Sequence, residues 1–375
     1  MAGIYIHIPF CKQRCRYCAF YSCTKANLQE RYVAALCREL ELRRLYIKGE
    51  VETIYIGGGT PSILPHPLLK KIFETVYGSY SVTKEAEITM EFNPDDLTTE
   101  YLAQLRSLPI NRLSMGVQSF DDSILKILGR RHTAEKAREA VDNARLAGFD
   151  NISIDLMFAL PTSTRKSWLC DLETAIALRP NHISAYNLTY EEDTPFFNAL
   201  QKGNITPLSE EENIEQFEML VDRLTAAGYR HYEISNFALH GFESRHNSSY
   251  WHDVPYIGCG ASAHSYNGNE RSWNVADIEL YIRGIETWNH DFEIEHLSEN
   301  ERYNDAIVTR LRTADGLPLE WFREKFSNKL YDYLCRNIAP HIDNGTLKED
   351  NGSVSLTREG IFISDSIMRD LIYIE

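Results

Sequence analysis

Hydrophobic and polar positions alternate along the first half of the chain in short runs, each followed by a longer stretch with helical spacing. Gly3–Ile8, Glu52–Ile56, Ala86–Glu91, Ile110–Val117, Asn151–Met157 and His182–Leu188 read as strands. Between them lie helical patterns at Gln29–Ile47, at Pro67–Tyr77, and in a short piece capped near Thr98 with Glu100 in its first turn. Two more follow, Ala134–Ala147 closed by Gly148 and Ser167–Leu178 stopped by Pro180. In the first helix Tyr32, Leu36, Leu40 and Leu45 fall near one face. Glu210–Ala227 adds a helix that starts acidic, as the helix dipole favours, and ends at Gly228. Tyr229–Ile234 is a seventh strand or a flanking piece.

Repeated βα units at this spacing imply an α/β fold with a parallel sheet and helices outside it. Right-handed crossovers curl such a sheet into a partial or full (β/α) barrel, with an open doubly wound sheet as the alternative. The pattern changes after about Asp291. Leu297–Arg312, Leu317–Phe326 and Leu330–Asn337 look helical, and Leu347–Leu356 reads as a hairpin turning at Asn351-Gly352. Helices followed by a small hairpin suggest a small C-terminal, winged-helix-like domain. No basic recognition helix stands out in it, so packing or gating is the plainer role than DNA binding. The expected division is a barrel core over 1–235, a connecting segment over 236–295 and the C-terminal domain over 296–375.

With 375 residues the chain has room for one large domain and a small one. A formal net charge of −15 argues against a sequence-independent grip on nucleic acid or on an anionic membrane. Met1 leads straight into Ala2-Gly3-Ile4-Tyr5, without the basic region of a secretory leader, and no apolar run is long enough to span a bilayer. A cytoplasmic, reducing setting is therefore expected. There the 8 cysteines serve metal or redox chemistry rather than a disulfide framework.

Three of them, Cys11, Cys15 and Cys18, follow the first strand at once. Three thiolates on one short loop can hold three irons of a cubane cluster and leave the fourth iron open to a chelating amino and carboxylate pair. Structural zinc competes as a reading, but it takes four protein ligands, and only Cys23 stands near as a fourth. The other cysteines are scattered and read as small buried side chains.

Further chemistry gathers where the strands end, and in a barrel those ends converge on one mouth. Gly57-Gly58-Gly59-Thr60-Pro61 follows the second strand, and its glycines allow close backbone approach to a ligand. An ordinary βα turn is the competing reading. Glu91 closes the third strand, Gln118 the fourth, and Asp155 lies late in the fifth. Glu91 is equally readable as a capping or ion-paired carboxylate. A buried Asp155 needs a partner, and Arg130 can be that partner or can meet a ligand carboxylate. Alternatively, Arg130 and Arg131 are a solvated pair at a helix end.

C-x3-C-x2-C after a first strand resembles the radical-SAM superfamily. Its context, Tyr5-Ile6-His7-Ile8-Pro9-Phe10-Cys11 with Tyr17-Cys18-Ala19-Phe20, is similar to the family of anaerobic coproporphyrinogen III oxidase and HemW-type haem chaperones. The resemblance implies a [4Fe–4S] cluster on Cys11, Cys15 and Cys18 that binds S-adenosylmethionine. When reduced, such a cluster splits that cofactor into methionine and a 5′-deoxyadenosyl radical. It also implies cofactor contacts at Tyr5, Tyr17, Gly58, Gly59, Thr60, Glu91, Gln118, Arg130 and Asp155. The oxidase branch carries a further cysteine two residues after the third ligand, where this chain has Phe20. His246-Asn247-Ser248-Ser249-Tyr250-Trp251 matches the H-N-x-x-Y-W motif of the HemW-type branch, in which the histidine is implicated in haem binding. His252, Cys259 and His264 stand nearby as further ligand candidates, and a hydrogen-bonded surface turn is the competing reading of His246. By this resemblance the chain binds haem, a [4Fe–4S] cluster and S-adenosylmethionine. It would pass haem to apo-haem proteins such as respiratory cytochromes, with at most peripheral membrane contact through a partner. Radical oxidative decarboxylation of coproporphyrinogen III is the alternative.

Overall fold

In six successive strands, every second side chain is aliphatic and its neighbours are polar. They are β1 (Gly3–Ile8), β2 (Val51–Gly58), β3 (Val82–Phe92), β4 (Arg112–Gln118), β5 (Ile152–Phe158) and β6 (His182–Asn187). The computed structural model of the chain describes residues 2–289 and 292–374; Asp291, where the sequence pattern changes, lies outside the described residues. Ile4, Ile6 and Ile8, Ile54 and Ile56, Leu113 and Met115, and Ile152 and Ile154 join one large apolar core. That core is shared with α1 (Gln29–Leu42), α2 (His66–Ser79), α3 (Thr99–Leu105), α5 (Ala134–Leu146) and α6 (Arg165–Leu178), while α4 (Asp122–Leu128) packs in a separate smaller cluster with Met157, Leu160, Leu188 and Phe196. Because side chains alternate across a strand, the residues between them point to the opposite face, into the lumen. There stand Tyr5 and His7, Thr53 and Tyr55, Glu87 and Glu91, Arg112 and Ser114, Ser153 and Asp155, and His182 and Ser184.

β1 to β6 lie side by side in chain order, all parallel, with no reversal of the kind a doubly wound sheet shows. The free edge of β1 is taken by β9 (Tyr256–Cys259) and that of β6 by β8 (Asn236–Ala238), so the barrel is open. β7 (Arg230–Glu233) flanks β8, and β10 (His264–Tyr266), β11 (Glu270–Asn274) and β12 (Phe292–His296) continue antiparallel beyond β9. Past β6 come α7 (Pro195–Gln201) and α8 (Glu210–Ala226), whose Ser209 and Glu212 form a capping box. α9 (Arg245–Trp251) and α10 (Ile278–Glu286) complete this part.

The C-terminal residues build their own core from α11 (Glu299–Leu311), α12 (Leu319–Lys325), α13 (Asn328–Asp343), α14 (Arg358–Phe362) and α15 (Ser364–Leu371). A three-stranded sheet joins them: β13 (Leu317–Pro318), β14 (Leu347–Asp350) and β15 (Ser353–Leu356), in the order β13-β15-β14. Helix, strand, two helices and a hairpin is the winged-helix order. The hairpin turns at Asn351 and Gly352, both at positive φ, as a tight hairpin turn requires. No helix among the described residues is long and apolar enough to cross a membrane.

Two sequence expectations shift. α1 stops at Leu42, and Leu45 is 80% exposed rather than on the packed face. Arg43 leaves the helix to reach Glu39, the Gly258 carbonyl and Ser265. The stretch Leu317–Phe326 is not one helix. Leu317 and Pro318 pair with Val354 and Ser353 before α12 begins.

Glu39 ties α1 to the antiparallel extension. Its carboxylate is fully buried and accepts from Arg43, Asn274, the Gly260 backbone N–H and Tyr281 at 3.0, 2.8, 2.8 and 2.6 Å. Removing it strands a guanidinium and three other donors. Glu39→Ala is expected to lower stability by about 3–5 kcal/mol in urea unfolding. Glu74→Ala, which breaks the exposed Lys70–Glu74 pair, should change it by less than about 1 kcal/mol.

Candidate functional site

The loop after β1 carries the three cysteines across the barrel mouth and is held at several points. Lys12 reaches the Asp96 carboxylate at 2.6 Å, and the same carboxylate accepts from Ser62 at 2.8 Å. Arg16 donates its backbone N–H to Leu128 and accepts from that of Phe196. The Thr60 hydroxyl donates to the Cys11 sulfur at 3.5 Å, and Arg130 donates to the Cys15 sulfur at 3.3 Å. Burial raises the Cys11 and Cys18 thiols above their usual range, with the Thr60 hydroxyl opposing it at Cys11 and the Phe20 backbone N–H at Cys18. Tyr17 packs beside the loop, and burial likewise raises its phenol while the Arg130 charge opposes. Cys23 turns away from the group. Its backbone pairs with Pro9 and Cys11, and its side chain packs on the main core.

Arg130 also donates to the Gly116 carbonyl at 2.5 Å, while its Nε is buried with no partner. It meets Asp155 through charge alone; the Ser184 hydroxyl and the Arg112 and Arg130 charges oppose the effect of burial on that carboxyl. Arg131 is not a solvated neighbour, since it pairs with Asp95 at 3.0 Å and Asp96 at 3.4 Å. Gln118 ends β4 at a bulge with a φ of 69°. The glycines at the end of β2 have no room for side chains. A Cβ on Gly59 would stand 2.7 Å from the Phe10 carbonyl, and one on Gly57 would stand 2.9 Å from the Glu91 carboxylate.

Glu91 accepts from the Tyr55 hydroxyl at 2.7 Å and from the Gly58 N–H at 3.1 Å. Burial pushes its pKa up to about 7, with Asp155 adding to the rise and the two hydrogen bonds opposing it. Asp155 rises to about 6, again through burial. Tyr5 hydrogen-bonds His7 at 2.9 Å and stacks on Tyr55. Two acids poised near neutrality therefore line the lumen beneath the cysteine loop.

His246 lies at the other end of the barrel. From Thr53 to Gly59 along β2 is roughly 20 Å at ~3.3 Å per residue. Glu87 of β3 receives the backbone N–H groups of Arg245 and His246, which seats α9 under the lumen. The imidazole is buried and stacks on Tyr55 at 5.2 Å. Thr53 Oγ1 is 2.8 Å from Nδ1, and the Tyr250 hydroxyl is 2.8 Å from Nε2. Burial pushes its pKa down to about 3, and the Arg112 charge adds to the drop. His246 is therefore not part of a surface turn. It is a neutral, doubly hydrogen-bonded plug, and coordinating iron would cost it one of those bonds. Cys259 is buried in the main core. His264 stacks on Trp273.

The Radical SAM superfamily model matches residues 5–174, and the HemN C-terminal domain model matches 297–363. The chain is 35% identical to the heme chaperone HemW of Bacillus subtilis, covering 98% of each protein. The chain belongs to the HemW family of radical SAM proteins. Escherichia coli HemW is 39% identical over 70% of this chain and 69% of its own length. The coproporphyrinogen III oxidase structure from Escherichia coli superposes with a TM-score of 0.85, at 22% identity, over 99% of this chain and 90% of that one. At that identity the likeness shows the shared fold.

Membership in the superfamily implies a [4Fe–4S] cluster and S-adenosylmethionine, and the mouth fits them. The three thiols share one short loop, and among the described residues no three His, Cys, Asp or Glu side chains form a group that could hold a single metal ion. A four-iron cluster spreads its thiolates over separate irons and does not ask for such a group. An unpartnered Arg130 Nε, crowded glycines and two carboxyls below complete a polar cradle.

Sequence reasoning passed over Tyr55 and Arg112. Tyr55 links Glu91 to His246, and Arg112 is the buried cation of the lumen floor. Both sit in the inward column of the strand alternation, which was the available signal. Glu91 is favoured as the neutral acid, so the folded chain keeps a proton that the unfolded chain releases between about pH 4.5 and about pH 7. Stability should fall as pH rises through that window. Glu91→Gln should gain on the wild type by about 1–2 kcal/mol between about pH 5 and about pH 8 in chemical unfolding of the cofactor-free chain. A constant difference would show that Glu91 titrates normally.

Proposed function

We propose that this protein is a haem chaperone that binds haem, a [4Fe–4S] cluster and S-adenosylmethionine and transfers haem to apo-haem proteins, respiratory cytochromes among them. The observation that carries the reading is similarity to a heme chaperone along 98% of both chains, together with the His246–Trp251 motif and Phe20 in place of the oxidase cysteine. Cys11, Cys15 and Cys18 would hold the cluster. Tyr5, Tyr17, Gly58, Gly59, Thr60, Glu91, Gln118, Arg130 and Asp155 would bind S-adenosylmethionine, with the free Arg130 N–H suited to a carboxylate or a ribose hydroxyl. Haem falls to the segment around α9. Phe20 is 69% exposed at the mouth and offers no thiol there.

One anaerobic experiment separates this function from porphyrin oxidation. Protein reconstituted with iron and sulfide is given coproporphyrinogen III, S-adenosylmethionine and reductant, and in parallel is titrated with haem. Haem binding near one equivalent, without protoporphyrinogen, is the expected result. Sustained protoporphyrinogen formation would make the chain an oxidase instead. Cys15→Ser should lose the brown colour and the bound iron while leaving the circular dichroism unchanged.

A further inference from the structure

The loops around the cysteine mouth share one buried carboxylate. Asp96 lies in the single 3-10 turn Pro94–Asp96 after β3, and its side chain is only 4% exposed. Its Oδ1 accepts from Lys12 Nζ at 2.6 Å and its Oδ2 from the Ser62 hydroxyl at 2.8 Å. Arg131 reaches the two oxygens at 3.5 and 3.4 Å. These donors come from three segments far apart in sequence: the cysteine loop, the 3-10 turn Pro61–Ile63 after the glycine run, and the stretch beyond α4. Each donor also adjoins a group at the thiols. Lys12 follows Cys11. Ser62 is two residues past Thr60, which donates to the Cys11 sulfur. Arg131 follows Arg130, which donates to the Cys15 sulfur.

We propose that Asp96 is a positioning residue for the cluster. It holds the Cys11 end of the loop, the glycine turn and Arg130 in one frame, and it balances two cations beside the thiols. The inference rests on the reading that Cys11, Cys15 and Cys18 hold a [4Fe–4S] cluster that binds S-adenosylmethionine.

Burial gives this carboxylate its leverage. An ionised side chain so removed from water must be paired and hydrogen-bonded. Asp96 meets that demand in full only when all three segments stand together, so its desolvation selects that arrangement. Lys12 is 54% exposed, and an ion pair with one end in solvent adds little to stability. What the pair fixes is the place of the residue next to Cys11. The charges divide in the same way. Asp95 and Asp96 occupy Arg131, and Asp96 occupies Lys12, which leaves Arg130 as the cation turned toward a sulfur. Net charge and hydrogen bonds to the sulfurs set the reduction potential of an iron–sulfur cluster. Groups that orient metal ligands change affinity or activity by about 10–100-fold when they are lost.

Asp96→Asn keeps the size of the side chain and an acceptor for Ser62. Arg131 retains Asp95, and Lys12 turns to water, so the fold persists.

The test uses the full chain reconstituted anaerobically with iron and sulfide. Iron and sulfide per chain, the reduction potential, the paramagnetic resonance of the reduced cluster and the affinity for S-adenosylmethionine are measured. Asp96→Asn is expected to keep the wild-type circular dichroism and to bind S-adenosylmethionine about tenfold more weakly. Its resonance signal should change and its potential should rise. Lys12→Met cuts the same tether from its exposed end. It should weaken S-adenosylmethionine binding too, but lower the potential, because it removes a cation. The double variant should bind no more weakly than Asp96→Asn alone, with a potential back near that of the wild type. A merely structural Asp96 would shift the unfolding midpoint and leave potential, signal and affinity at wild-type values, and that result would overturn the proposal. If Asp96→Asn fails to fold, Lys12→Met decides, and wild-type affinity and signal in that variant would overturn the proposal equally. A wild-type chain that takes up no iron and sulfide would instead remove the cluster reading itself.

Discussion

Six parallel strands carry polar side chains into a lumen, and each of those groups must find a partner away from bulk water. The rest of the structure follows from how that demand is met. At the floor, histidines meet part of it: Thr53, His246 and Tyr250 form one chain, and Ser153, His182 and Tyr232 form another, while the Arg112 Nε has no hydrogen-bond partner. At the mouth the accounts stay open, since the Arg130 Nε has no partner and the thiols have only single weak donors. The outward faces of the same strands are aliphatic and hold the helices in place, so the polar column is fixed by apolar packing one residue away.

Between mouth and floor runs a contiguous set of contacts. Gly58 and Tyr55 hold Glu91, Tyr55 stacks on His246, and His246 and Glu87 fix α9. The His246–Trp251 segment is thus seated on strands of the same sheet that leads to the cysteine loop, while its C-terminal end emerges beside the second domain. That arrangement gives the winged-helix-like domain a physical role. Asp315 pairs with Arg230 of β7, and the Arg312 guanidinium lies 5.3 Å from the Trp251 ring centre, so this domain packs against the end of the motif.

The long elements were legible because their periods persist. The six strands, the sheet order and the Asn351-Gly352 hairpin each rest on a local pattern, and the structure differs from it by a residue or two at most ends. Where the pattern misled, a distant contact had intervened. Leu45 looks like a continuation of the α1 stripe, yet Arg43 is drawn out of the helix by Glu39 and Gly258. Leu317 and Pro318 look like the start of a helix until β15 pairs with them. The antiparallel extensions of β8 to β12 have three to five residues each, too few for a period to show.

By itself, the sequence determined the chemistry on offer and the ends at which it gathers. A loop with three thiols, a glycine turn and strand-end carboxyls are local features, and their convergence follows from a repeated βα unit. What it left undetermined was which polar groups are already satisfied. Cys23 and Cys11 are equivalent in composition, but only the tertiary structure packs the Cys23 side chain against the core. His246 and His252 stand in one short segment with the same ring. Folding buries the first between Thr53 and Tyr250 and leaves the second between the Ser248 carbonyl and the Asp315 carboxylate at the surface. Hydrogen-bond partners come from strands and domains far apart in the chain, so the availability of a ligand is a property of the packed molecule and not of its motif.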